Sequence, residues 1–450
     1  MKAPALYLLA IILFAGCSTP GKVQKTAGKT TNNTERNIWE LPVLQNAHIG
    51  ISILDTETGK YLYNYQGDKY FVPASNTKIF TLYAGMKYLK DSLPGINYSE
   101  NADTLFIFPT ADPSLLHPDF KKQPVIEKLQ QTNKKLVLVD NNWKEEALGS
   151  GWSWDDYNDD YQSERNSFPV YGNLVKWIQS SQKNTQSELL DSIQTFVFSE
   201  PEVNWKVRFK EDTLNKTFFV KRKKDDNYFE VSQGRELFKE QFVPFVTNGV
   251  QSSIELLRDT VHKEITRISQ TVHEKSATIF SQPKDSLFKA MMYRSDNFFA
   301  EQTLLMVSNE KLGYMNDAAI IDSMLKSDLK GLPQKPVWVD GSGLSRYNLF
   351  TPESFVWILN KMKEEFGMER LKSIFPGAAQ GTLQNYYVKD SGYIYAKTGT
   401  LSGQVALSGF LISKKNKLLI FSVLVNNHQG SATHIRRAVE RFLSDVRQKN

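Results

Sequence analysis

A chain of 450 residues with 40% apolar and 12% aromatic content has ample material for a folded core and lies outside the disordered classes. Its 55 Lys and Arg against 49 Asp and Glu leave a net charge of +6 spread along the chain, which argues against a nucleic-acid partner. The single cysteine excludes an intrachain disulfide. The 6 histidines are scattered without an H-E-x-x-H pair, so neither a metal site nor a cofactor is expected.

Met1 and Lys2 precede an apolar run over residues 5–16 and then Cys17. The run is too short to span a bilayer but has the form of a secretory h-region. Leu13-Phe14-Ala15-Gly16-Cys17 resembles the bacterial lipobox, so residues 1–16 are expected to be a lipoprotein signal peptide and Cys17 the lipidated residue. Residues 17–36 are Ser, Thr, Lys, Gly and Asn with little that is apolar, the composition of a flexible tether. The expected location is the periplasm or cell envelope, with membrane contact only through the N-terminal lipid.

Ile49, Ile51 and Ile53 alternate with smaller or polar residues, Asp55-Thr56-Glu57-Thr58-Gly59 breaks the run, and Tyr61, Tyr63 and Tyr65 alternate after it. This is a β-hairpin pattern. The chain passes Pro73 and enters a predicted helix with Ile79, Phe80, Leu82, Tyr83, Met86 and Leu89 on an apolar stripe. Over residues 96–268, strand-like runs (104–108, 136–139, 196–198, 217–220, 228–231) alternate with charged turns, and an amphipathic helix is predicted over 251–262. The basic run at 221–224 with Asp225 and Asp226 reads as a hairpin tip. From residue 280 the pattern turns helical, with a second helix after Asn297. Strands are predicted at 393–397, 405–412 and 418–426. A closing helix carries Ile435, Ala438, Val439, Phe442, Leu443 and Val446.

Ser75 and Lys78 sit at the start of the first helix, where residues three apart share a face. A serine hydroxyl needs a neighbour to take its proton, and a lysine does so once burial and another cation lower its pKa. S-x-x-K alone is weak: it occurs seven times in the chain, but only Ser75 follows a hairpin and opens an apolar helix. Ser295-Asp296-Asn297 supplies an S-x-N between helices, and Lys397-Thr398-Gly399-Thr400 the chain's one K-T-G, on a strand. Acyl transfer assigns the roles. Ser75 attacks a carbonyl, Lys78 accepts its proton, Ser295 relays it to the leaving amine, and Asn297 holds Lys78 or the substrate. Lys397 adds a second cation that opposes protonation of Lys78 and attracts a carboxylate. Thr398 and Thr400, flanking Gly399, bind that carboxylate, and the N–H groups of Ser75 and Thr400 form an oxyanion hole.

With PASNTKIFT (73–81), GWSWDD (151–156), SDNFFAE (295–301), DGSGLSRYN (340–348), GTL (381–383) and AKTGTLSG (396–403), the chain resembles the S13 family of D-alanyl-D-alanine carboxypeptidases/endopeptidases. These are the class C low-molecular-mass penicillin-binding proteins. The resemblance implies an α/β (α+β) fold: a β-lactamase/transpeptidase-like domain with an antiparallel sheet flanked by helices. Residues 37–95 and 275–450 would form it, interrupted by a large mostly-β insertion at 96–274. It implies peptidoglycan stem peptides as substrates and β-lactam antibiotics as inhibitors. It also implies that Asp156 meets the free amine of the stem-peptide diamino acid and Arg346 a carboxylate of the same side chain. Two alternatives stay open: a non-catalytic muropeptide- or penicillin-binding protein, and a serine β-lactamase. The class A form of the latter has an E-x-x-x-N loop, which is absent between Asn297 and Lys397.

Overall fold

The computed structural model describes residues 44–183, 193–210, 216–270 and 277–450. The predicted signal peptide (1–16), the tether (17–36) and Cys17 lie outside the described residues.

Ile49, Ile51 and Ile53 are buried on β1 (His48–Asp55). Asp55 ends the strand as an Asx turn: its Oδ1 accepts from the N–H of Glu57 (2.9 Å) and Thr58 (3.3 Å). Gly59 takes φ +67°, and the chain returns as β2 (Lys60–Tyr65), the more exposed outer strand. The other three strands come from the far end of the chain: β3 (Ile394–Leu401), β4 (Gln404–Ile412) and β5 (Leu418–Asn426). The sheet order is β3-β4-β5-β1-β2, antiparallel throughout, with His48 opposite Asn426 and Asp55 opposite Leu419.

One face of the sheet carries α1 (Lys78–Tyr88), α2 (Lys284–Arg294), α3 (Asn297–Leu312) and α4 (Pro352–Phe366), packed on Phe410, Ile420 and Leu424. The alternate residues Leu407, Phe421, Val423 and Val425 face α5 (Ala432–Lys449), which contributes Ile435, Ala438, Val439, Leu443 and Val446. The sequence predicts an apolar stripe on α1, but every residue from Lys78 to Met86 is buried. The reason is that α2, α3 and α4 all pack against it. Phe80 packs at a tilt against Phe350 (ring centroids 4.7 Å) and Trp338 (5.6 Å). A lysine placed between Lys78 and Met86 of this helix has no face turned to water.

Between these halves, Ser92–Glu100 pairs antiparallel with Ala277–Pro283 and heads a second five-stranded sheet with Thr104–Pro109, Lys135–Val139 and Ile265–Ile268. The predicted insertion boundary at residue 96 therefore falls inside a strand. Phe280, read as the onset of helix, is still strand, because this pairing persists to Pro283 and α2 begins only after the proline. Two three-stranded sheets complete the segment: Phe238–Pro244, Leu174–Lys183 and Ile193–Glu200; and Lys206–Lys210, Asp226–Ser232 and Phe219–Lys223. The strand expected from 217 starts at Phe219, since the Phe218 N–H donates to the Glu236 carboxylate (2.9 Å). The helix expected over 251–262 runs Gln251–Val261, with His262 left-handed at its end (φ +54°). The 221–226 run is a hairpin tip with one departure: Arg222 is buried rather than solvated. No described helix is long and apolar enough to cross a membrane.

Candidate active site

Ser75 lies on one 3-10 turn, Ala74–Thr77, that runs directly into α1. The turn requires a left-handed Ala74 (φ +49°). Two facing glycines make room for it. A Cβ on Gly343 would fall 1.9 Å from the Ala74 carbonyl oxygen, and one on Gly399 would fall 2.7 Å from that of Pro73. The nucleophile turn is thus wedged between the 340–348 loop and β3. Asn76 holds it to the sheet: with its amide turned to match donors to acceptors, it donates to the Lys397 carbonyl (2.8 Å) and accepts from the Ser408 N–H (3.2 Å).

Lys78 Nζ donates to Ser75 Oγ (3.0 Å), Asn297 Oδ1 (2.6 Å) and the Ser342 carbonyl (2.8 Å), which uses all three of its protons. Burial pulls this amine down to about 8, while Asp340, Glu301 and Asp296 pull the other way. Lys397 Nζ donates to Ser295 Oγ (2.8 Å) and the Thr398 carbonyl (2.7 Å), both neutral partners. Burial first, and the Lys78 charge second, push it well below the usual lysine range. Repulsion between the two amines is mutual, so a charged Lys397 opposes protonation of Lys78 and the reverse; the carboxylates gathered around Lys78 favour its charge in the resting site.

The S-x-N turn is a helix junction. Ser295 closes α2 in the left-handed region (φ +60°), Asp296 Oδ1 caps α3 by accepting from the Phe299 N–H (2.9 Å), and Asn297 is the first helical residue. Asn297 also donates through Nδ2 to the Tyr161 carbonyl (2.9 Å) of the inserted segment. Thr400 on β3 is exposed, and its Oγ1 accepts from Arg436 Nη2 on α5 (2.6 Å).

Ser75, Ser295, Asn297, Thr400, Asp156 and Arg346 line one open cleft of about 610 Å³, joined by Tyr161. Lys78 and Lys397 are fully buried and reach Ser75 and Ser295 from within. Thr398 is turned to Thr382 Oγ1 (2.8 Å) and Gly399 against Pro73, and neither is part of the cleft lining. Asp156 is half-buried. Arg346 is exposed, its Nη1 donating to Gln404 Oε1 (3.2 Å).

Sequence reasoning missed the residues that hold this floor and rim together. Buried Asp340 accepts from the N–H of Gly343 (2.8 Å) and Ser345 (2.6 Å), from Asn348 Nδ2 (2.7 Å) and from the Trp152 indole (3.0 Å). One carboxylate therefore folds the DGSGLSRYN loop and ties it to GWSWDD. Its position at the head of a Gly-x-Gly turn was the available signal. Glu301, the one acid in the apolar run at 297–309 and the last residue of SDNFFAE, carried a signal that was not used, whereas Arg165 and Arg436 carried none.

Solved structures share this fold. Penicillin binding protein 4 of Haemophilus influenzae superposes with a TM-score of 0.72 at 19% identity, covering 92% of this chain and 99% of that one. A predatory peptidoglycan endopeptidase from Bdellovibrio bacteriovorus superposes with a TM-score of 0.55 at 12% identity, covering 90% and 94%. In sequence, the chain is 25% identical over 444 residues to a D-alanyl-D-alanine carboxypeptidase from an Actinomadura species, covering 88% of this chain and 80% of that one. It is 21% identical over 437 residues to the D-alanyl-D-alanine carboxypeptidase DacB of Haemophilus influenzae, covering 85% and 86%. The D-Ala-D-Ala carboxypeptidase 3 (S13) family model matches residues 31–446, and the chain belongs to that family.

Proposed function

We propose that the protein is a serine-type D-Ala-D-Ala carboxypeptidase/endopeptidase that acts on peptidoglycan stem peptides through an acyl-enzyme on Ser75. The observation that carries this is the 3.0 Å hydrogen bond from Lys78 Nζ to Ser75 Oγ, with the amine wholly buried and its pKa drawn down to about 8. A substrate carboxylate would seat near Thr400 and Arg436, close to Lys397. Its charge favours protonated Lys397, and the added cation in turn favours neutral Lys78, the form that accepts the Ser75 proton. The Ser75 oxygen then bonds the peptide carbonyl carbon, with the N–H groups of Ser75 and Thr400 as oxyanion donors. The proton returns through Ser295 to the leaving amine of D-alanine, and water hydrolyses the ester. A β-lactam forms the same ester with its amine still tethered, which blocks the water.

In this reading Asp156 and Arg346 contact the diamino-acid side chain at the rim, and Thr398 and Gly399 shape β3 behind Thr400. The segment near 96–274 is an insertion into a transpeptidase-like core made from both chain ends. Residues 1–16 export the chain to the envelope, and a lipid on Cys17, with 17–36 as tether, holds it at the membrane surface.

The test is a timed intact-mass spectrum with benzylpenicillin, beside measurement of D-alanine release from a stem pentapeptide. Wild type should gain one penicillin and Ser75→Ala none, and D-alanine release should depend on the same hydroxyl. A wild type that neither binds nor hydrolyses penicillin would overturn the active-serine assignment and favour a non-catalytic binding protein. Fast penicillin turnover without D-alanine release would favour a β-lactamase.

A further inference from the structure

Lys78 is held from behind by the Ser342 carbonyl (2.8 Å), and the residue that fixes Ser342 is buried Glu301 on α3, whose Oε1 accepts the Ser342 N–H (2.7 Å). The other carboxylate oxygen of Glu301 meets Arg165 Nη1 (3.2 Å). Arg165 comes from the inserted segment, is as buried as Glu301, and also pairs with Asp317 (2.7 Å) and Glu145 (3.4 Å). Its Nη2 donates to the Glu146 carbonyl (3.0 Å), and its guanidinium lies 5.4 Å from the Trp152 ring centroid. A continuous path thus runs from the inserted segment through Arg165, Glu301 and Ser342 to the proton acceptor of the nucleophile.

We propose that Glu301 is a positioning residue for Lys78, acting through the Ser342 backbone and through its own charge, and that Arg165 keeps it ionised.

The alternative, Glu301 as inert packing, does not account for an acid buried beside a second buried acid, Asp340. Burying a carboxylate there is costly unless it is paired and fully hydrogen-bonded, and both conditions are met only through Arg165 and Ser342. Burial and the Asp340 charge raise the Glu301 carboxyl to about 7 against the opposing Arg165 charge, so it is ionised over the range near 8 in which Lys78 titrates. The charged groups facing this cluster are Lys78 on α1, Asp340 on the loop, Asp317 at the start of Asp317–Lys326, and Glu145 and Arg165 in the inserted segment. Asp296 at the start of α3 and Lys397 on β3 also face Lys78. Glu301 is one of the carboxylates that hold the proton on Lys78. Its charge therefore keeps Lys78 charged in the resting site and leaves release of that proton to an arriving substrate. This role rests on the Ser75 acylation reading.

The experiment is the rate of penicillin acylation against pH for wild type, Glu301→Gln, Arg165→Met and the double variant, with thermal unfolding of each. Gln keeps an acceptor for Ser342 but removes the charge. In Glu301→Gln the limb that rises with Lys78 deprotonation should move to lower pH by about one unit, since an opposite charge nearby shifts a pKa by this order. Arg165→Met should move it the same way, because Glu301 then protonates, and should melt well below wild type. The double variant should recover much of the lost stability, having no unpaired buried acid at Glu301. Variants that fold and keep the wild-type pH limb, whatever their rate, overturn the proposal. So does a double variant no more stable than Arg165→Met. If wild type itself takes up no penicillin, the failure belongs to the Ser75 reading.

Discussion

Lys78 and Lys397 occupy the floor of the cleft on α1 and β3, whereas Asp156 and Arg346 stand on loops at its rim. On the floor each amine is fully buried, and its bonds run to side chains and carbonyls supplied by neighbouring core elements. At the rim the loop carrying Asp156 is gripped from both sides by arginines that never reach the cleft. Arg165 holds it to α3, and Arg222 holds it to the hairpin at Phe219–Lys223. The floor therefore holds charge that burial disfavours, while the rim, the proposed site of recognition, is kept in place by buried cations on backbone carbonyls. Chemistry and specificity can then be separated by mutation.

The largest separation is expected from Lys397→Met. Loss of the cation that meets the substrate carboxylate should lower acylation by about a hundredfold, the scale of a transition-state electrostatic contact. Stability should rise, because the replaced amine has only neutral hydrogen-bond partners and burial disfavours its charge. The sign in pH follows. Folded Lys397 titrates below its unfolded value, so the unfolded chain binds more protons and wild-type stability climbs with pH until about 10, where the unfolded lysine is neutral. Lys78 adds to this climb only above about 8. Denaturant midpoints measured from pH 6 to 10 should rise less steeply in the variant. An unchanged slope would mean that burial of Lys397 carries no cost.

A tenfold effect is expected at the rim. Asp156→Asn should raise KM for a stem peptide bearing a free diamino-acid amine by about tenfold, the scale of one charge contact, with kcat nearly unchanged. Benzylpenicillin lacks that amine, so its acylation rate should stay at the wild-type value. A parallel loss with both compounds would mean that Asp156 supports the floor, and the division between floor and rim would fail.

How far each region was legible in the sequence follows the same division. Ser75, Lys78, Ser295, Asn297 and Lys397 could be found because acyl transfer fixes residue types at short spacings, and because the hairpin and apolar helix around Ser75 separate it from six decoys. The sheet was legible through period-2 apolar runs at both chain ends. The all-round burial of α1 was not, because it comes from packing against α2, α3 and α4, which lie far away in sequence or across the insertion. Nor could Arg165 and Arg222 be found, since a charged residue in a polar stretch ordinarily reads as a solvated face, and although Glu301 stands in an apolar run nothing local names its partners. Their burial is set by partners 136 residues apart for Arg165 and Glu301, and 65 apart for Arg222 and Tyr157. Nor does spacing alone bring Asp340, Glu301 and Asp296 together around Lys78.

The smallest effect is expected at Arg222, and it tests whether the inserted segment shapes the rim from a distance. Its guanidinium donates to the carbonyls of Pro244 (2.7 Å), Lys223 (2.8 Å), Lys224 (2.6 Å) and Tyr157 (3.2 Å), while Asn158 Oδ1 accepts the Arg222 N–H (2.7 Å). Lys224 lies over the Trp154 ring at 5.3 Å, a further contact between the hairpin tip and the GWSWDD loop. Arg222→Lys keeps the charge but not the planar fork, and a lysine's three protons cannot reach four carbonyls in that geometry. Loosening this end of the loop should raise KM for the stem peptide by about threefold, well short of the Asp156→Asn effect, because Arg165 still holds the other end. Penicillin acylation should be unaffected. In the Asp156→Asn background Arg222→Lys should add almost nothing, since the contact it positions is already gone. Full additivity of the two changes would show that the hairpin acts on substrate by some route other than Asp156.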